Sequence, residues 1–182
     1  MAGLGLMNRR RAIQSAPTKL DYIRFADAEV ANICIANFSS NGIAVSLEDA
    51  ASVTSSDFGV IFRGNSLIKE FLELRFFTGL DNIPGVIWNS GAFSNCSNLT
   101  KIVIPASVTQ IKAGAFYNCV KLNTIVMESV TPPVCGDSCF YKTAADLIVY
   151  VPDASLSAYQ SASASWNGFT GTFAPLSTYN YE

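Results

Sequence analysis

Five cysteines and no histidine set the chemistry open to this 182-residue chain. Without imidazole there is no Ser-His-Asp or Cys-His nucleophile pair and no His-containing metal site. Lysine or carboxylate chemistry stays open in principle. The chain nevertheless has no Gly-rich phosphate loop, no acids paired at a motif spacing and no nucleophile elbow. No catalytic residue is therefore assigned, and no cofactor or metal ion is expected. Cys96 and Cys119 stand 23 residues apart, with Cys34, Cys135 and Cys139 elsewhere. They read either as small buried free thiols or, for Cys96 and Cys119, as a disulfide between successive turns of chain. Cys135-Gly136-Asp137-Ser138-Cys139 could close a small loop, at a spacing that suits neither a zinc knuckle nor a thioredoxin-type pair. The triplet Arg9-Arg10-Arg11 reads either as a solvated tail or as an assembly arm for an acidic partner.

The thiols sit in a repeat. Gly91-Ala92-Phe93-Ser94-Asn95-Cys96-Ser97-Asn98-Leu99-Thr100-Lys101-Ile102-Val103 returns 23 residues later as Gly114-Ala115-Phe116-Tyr117-Asn118-Cys119-Val120-Lys121-Leu122-Asn123-Thr124-Ile125-Val126. A period in the twenties points to a solenoid. Leu99-x-x-Ile102-x-Ile104 and Leu122-x-x-Ile125-x-Met127 end in the alternation of a strand with one buried face. Pro105 closes the first strand, because it cannot donate to a ladder. Phe93 and Phe116 would fill the space behind the strands. Asn95 and Asn118 would cap unpaired backbone groups at the corners.

These residues resemble BspA-type leucine-rich repeats of the Bacteroides-group type, whose pattern runs Ala-Phe-x-x-Cys-x-x-Leu-x-x-Ile-x-Ile-Pro-x-Ser-Val-x-x-Ile. It is met by Ala92, Phe93, Cys96, Leu99, Ile102, Ile104, Pro105, Ser107, Val108 and Ile111. The resemblance implies an α/β fold: a short right-handed leucine-rich-repeat solenoid of about 3–4 rungs with parallel strands. A shortened first strand is expected at Ile68–Leu72, and a looser third rung, without the corner Cys or the Leu, at Cys139-Phe140 and Val149–Pro152. Pro152–Gln160 reads as a short helix with Asp153 near its start, Tyr159 and Trp166 as side chains folded onto the open end of the coil, and Thr170–Glu182 as a polar, aromatic tail.

Ahead of the repeats, Asp27 suits a helix N-cap, with Val30, Ile33, Cys34 and Phe38 on one face. Ser46 and Asp49 suit a capping box for a second helix. Two helices around Asn37–Glu48 resemble an EF-hand or dockerin-like pair. Asn37, Ser39 and Asn41 fall at its ligand places, but Glu48 is the lone carboxylate among them, so the pair reads as degenerate and without an ion. The chain divides into an arm (1–17), a helical cap (18–58), the solenoid (59–152) and a C-terminal cap and tail (153–182).

Apolar residues make up 49% and charged residues 14%, which excludes disorder, and the net charge of -2 provides no basic field for nucleic acid. No run of about 18 apolar residues is present to span a membrane. The expected function is a non-catalytic binding or structural module. Its recognition row would be the outward strand residues Lys101, Val103, Thr124, Val126, Ile148 and Tyr150. The partner would be a protein: other virion proteins if the chain decorates a phage or prophage head or tail, or a host-surface protein or glycan if it is a secreted or cell-surface adhesin, as BspA-like proteins typically are. Oligomerisation is left open. The basic arm, with no recognisable signal peptide behind it, favours the virion setting, and a calcium-gated binder ranks below both.

Overall fold

The computed structural model describes residues 22–87, 89–166 and 168–180. Three helices come first: α1 (Ala28–Phe38), α2 (Leu47–Ser52) and α3 (Ser55–Phe58). Eight strands follow, with one further helix between the last two: β1 (Glu70–Phe71), β2 (Asn82–Ile83), β3 (Lys101–Ile104), β4 (Gln110–Ile111), β5 (Thr124–Met127), β6 (Val134–Cys135), β7 (Ile148–Val151), α4 (Leu156–Ala162) and β8 (Thr172–Pro175). They pair into two parallel sheets, a long one of order β1-β3-β5-β7-β8 and a short one of order β2-β4-β6. Each turn of chain adds a strand to the long sheet, crosses, and through β6 adds one to the short sheet.

The register follows from the repeat. Ile102 pairs with Ile125 and Ile125 with Val149, so like side chains stack at every turn and point into the core. Behind them, Phe62, Phe93, Phe116 and Phe140 form a column with centroid spacings of 5.4, 5.3 and 5.6 Å. The Phe93–Phe116 and Phe116–Phe140 planes lie within 3° of parallel. A parallel ladder spaces strands about 4.8 Å apart, which suits offset stacking of identical rings. Trp166 closes the column against Phe140 at 5.5 Å, and Tyr159 is fully buried beside it, as the sequence leads one to expect. Tyr159 also donates its hydroxyl to the Ser129 carbonyl, at 2.8 Å.

The corner residues act differently from expectation. Asn95 and Asn118 adopt left-handed backbone, with φ of 63° and 59°, a region that asparagine tolerates better than most residues. Their side chains bond to each other, Asn118 Nδ2 donating to Asn95 Oδ1 at 2.9 Å, rather than to backbone. The backbone caps come from the thiols: Cys96 and Cys119 donate to the carbonyls of Phe62 and Phe93, one turn earlier, at 3.0 Å each. All five cysteines are free. Cys135 takes the register place of Ile111 in the short sheet. Cys139 takes the place of Ala115, its carbonyl accepting from the Phe116 N–H as that of Ala115 accepts from Phe93. Gly91 is required by proximity, since a Cβ there would lie 2.3 Å from the Cα of Ala115.

Three expectations about elements change. The first strand is shorter than Ile68–Leu72, because Leu72–Phe76 is a 3-10 turn. Phe71, Leu74 and Phe77 are fully buried at a spacing of three, which a strand could not turn to one side. The third turn does contain a buried leucine: Leu147 follows a one-residue shift, its N–H donating to Ala144 as that of Leu122 does to Cys119. Thr172–Pro175 within the expected tail is strand β8, pairing Val149 with Phe173. Phe173 alternates with outward Thr172 and Ala174, which is the strand signal that the short run conceals.

At the N-terminal side, Asp27 Oδ1 accepts from the Glu29 and Val30 N–H groups at 2.9 and 3.1 Å, and Ser46 with Asp49 forms the capping box. Val30 and Cys34 are buried, and Phe38 lies 5.7 Å from Phe77. Phe58 and Phe62 carry the helical region into the aromatic column, so one apolar cluster runs from Ile23 to Trp166.

Candidate functional site

The residues singled out for recognition lie on the outer face of the long sheet. Lys101, Thr124 and Ile148 are in direct register and partly exposed, and the row extends to Glu70 on β1 and Thr172 on β8. Glu70 beside Lys101 places opposite charges on neighbouring strands. Neither Glu70 nor Thr172 was legible as part of the row, because β1 is short and β8 lay hidden in the tail.

Val103, Val126 and Tyr150 form the next row, also in register, and Ala174 continues it. Here the sequence expectation needs correcting. Val103 and Val126 point outward but are fully buried, and both lie outside the interior cluster. Their branched side chains are short, and strands about 4.8 Å apart leave them below the level of longer neighbours. Tyr150 is half-buried, its ring 4.8 Å from that of Tyr179. On the other flank, Arg75, in the 3-10 turn after β1, pairs with Glu128, the residue after β5. The open part of the surface is thus Lys101, Thr124 and Ile148, with Tyr150 at its border. Arg9, Arg10 and Arg11 lie outside the described residues.

A second aromatic pair stands on the corner ladder, where Tyr117 and Tyr141 stack at 5.5 Å, with Lys142 Nζ 5.6 Å from the Tyr141 ring centroid. It occupies one repeat position, immediately after the column phenylalanines. The signal was present in the sequence as Phe116-Tyr117 and Phe140-Tyr141.

The acids are engaged structurally. A shallow depression is lined by Ala26, Asp27, Glu29, Leu67, Lys69 and Glu70. Asp27 Oδ2 there accepts from the Lys69 N–H at 2.7 Å, so this carboxylate joins α1 to the start of the solenoid. Glu73 is buried, its Oε1 accepting from the Ala26 N–H at 2.9 Å. Burial pushes its pKa up, the Ala26 bond opposes this, and nearby Glu70 and Asp27 add to the rise. In the loop Asn37–Glu48, Asn41 Oδ1 accepts from the N–H groups of Ile43 and Ala44, and Ser39 bonds to Asn41 and the Ala44 carbonyl. These oxygens close the loop on itself. Among the described residues no group of three or more His, Cys, Asp or Glu is placed to hold a metal ion. No helix among them is long and apolar enough to cross a membrane.

A stack of parallel strands on a shared core, with an outward row repeated at each turn, defines a repeat protein of the solenoid class. Residues 86–163 match, in 6 copies, the family model of the BspA type leucine rich repeat region, which supports a BspA-type leucine-rich repeat protein. No curated protein and no solved structure matches the chain. Repeats of this kind are generally non-catalytic and suggest a protein-binding or structural module.

Proposed function

We propose that the chain is a non-catalytic protein-recognition module that uses the outer face of its long sheet. The single observation that carries this reading is the in-register row Lys101, Thr124 and Ile148, bordered by Tyr150. Parallel ladders hold such rows rigid at fixed spacing, so a partner meets a preorganised surface and binding costs little ordering. One cation among hydroxyl, aliphatic and phenol groups fits a protein surface better than a phosphate backbone.

In this reading the solenoid has four rungs, counted on β1, β3, β5 and β7, and β8 closes the sheet. Residues before Gly59 serve as the N-terminal cap, a helix-loop-helix of EF-hand or dockerin descent that keeps the packing without the ion. Arg9–Arg11 serve as an assembly arm for an acidic neighbour, in a phage or prophage particle. A cell-surface adhesin remains the alternative setting.

Peptide-display selection on the full chain tests the recognition reading. Selected peptides should lose about tenfold or more in affinity on Lys101→Glu or Ile148→Arg, while both variants keep the parent's melting transition. No enriched peptide, or binding indifferent to both changes, would overturn it.

A further inference from the structure

The second outward row is met by a later segment of the same chain. After β8, residues Leu176–Thr178 form a 3-10 turn that brings Tyr179 back over the sheet, its ring 4.8 Å from Tyr150 and inclined by 51°. The register explains why a ring fits there. Tyr150 is flanked in its row by Val126 on β5 and Ala174 on β8. Both neighbours are small, so the Tyr150 ring stands above them and leaves a shelf on each side. Val126 is fully buried although it points away from the core. The segment is tied down by the Ser177 N–H, which donates to Asp153 Oδ1 at 3.0 Å, and it is internally turned by Tyr179 N–H to Leu176 O at 3.0 Å. Asp153 opens the 3-10 turn Asp153–Ser155, two residues after β7 ends, so β7 supplies Tyr150 and the turn that follows it supplies the anchor.

We propose that the Val126–Tyr150–Ala174 shelf is a docking site for a short, turned, tyrosine-bearing peptide segment, and that residues 176–180 are its resident occupant. The chain thereby closes part of its own recognition face until a segment of the same chemistry displaces the tail. The proposal rests on the reading of the long sheet's outer face as the recognition surface. A tyrosine is the fitting anchor: its ring covers apolar surface with few rotatable bonds, and the Tyr179 hydroxyl oxygen is itself buried here. A short tail is a weak competitor by itself, and its tether supplies the high effective concentration that keeps the shelf filled.

The test uses a fluorescein-labelled peptide of residues 174–180, titrated into the unaltered full chain and the full-length Tyr179→Ala variant, with anisotropy as readout. Vacating the shelf should raise peptide affinity by about tenfold or more. The same peptide with alanine for its tyrosine should bind neither protein. Equal affinity for the two proteins, or binding indifferent to the peptide's tyrosine, would overturn the proposal. Should Tyr179→Ala fail to fold, the full-length Asp153→Ala variant, which releases Ser177, gives the same two outcomes. If Lys101→Glu and Ile148→Arg abolish display-selected binding while the labelled peptide distinguishes neither tail variant from the parent, the tail proposal falls and the recognition reading stands.

Discussion

At the scale of the residue, the buried thiols do structural work as donors. Cys96 and Cys119 each cap a phenylalanine carbonyl of the preceding turn, a bond that a buried carbonyl needs and that water cannot supply there. Burial holds the Cys96 thiol up at about 12, and Cys34, Cys119 and Cys135 are also raised, chiefly by burial. The folded chain thus keeps these protons more tightly than the unfolded one, whose thiols titrate near 8.5. Their contribution is complete below about pH 8.5 and is lost as pH rises towards the folded value. Stability should fall by up to about 1.4 kcal/mol per pH unit for each such thiol in that window. Urea unfolding from pH 7 to 11 measures it, and Cys96→Ser, which keeps a donor, should show a shallower decline than the parent. The recurrence of Cys at one repeat position made burial readable. The choice between free thiol and disulfide needed the positions of the sulfurs.

At the scale of the element, the phenylalanine column is the spine of the molecule. Phe116 lies between Phe93 and Phe140 and is fully buried, so Phe116→Ala opens a cavity that the rigid turns on either side cannot fill. The cost should be about 3–5 kcal/mol, read from the urea midpoint at unchanged slope. Val134→Ala, at an exposed position of β6, is the control and should stay within about 0.5 kcal/mol. The strands β3, β5 and β7 were legible because the same residue types return at the same spacing. The two-residue strands of the short sheet were not, since a pairing that short has no alternation to read. Phe62 was missed for a related reason. It heads a first turn in which the distance to the next phenylalanine of the column, Phe93, is 31 residues rather than 23, although Phe62-x5-Ile68-x2-Phe71 copies Phe93-x5-Leu99-x2-Ile102.

At the scale of the whole molecule, one apolar cluster joins the helices, the repeats and the closing Trp166, so the chain from Ile23 onward has a shared core. Arg9–Arg11 lie outside the described residues. If they form an assembly arm, light scattering should show a defined oligomer for the full chain and a monomer for a chain starting at Thr18, with both retaining the same melting transition. Monomers in both cases would leave the triplet as a solvated tail and favour the free-standing adhesin setting.

The sequence by itself determined the repeat, its strands, the inward residues and the absence of imidazole chemistry, because each of these is a property of residue type and spacing alone. Tertiary structure decided how open the outward face is. Val103 and Val126 alternate as surface residues should, yet both are fully buried. Tyr150 sits beside Tyr179, a residue 29 positions away, because β8 adds to the sheet and the chain turns back. Periodicity reports which way a side chain points; only the packing of distant segments reports what stands over it.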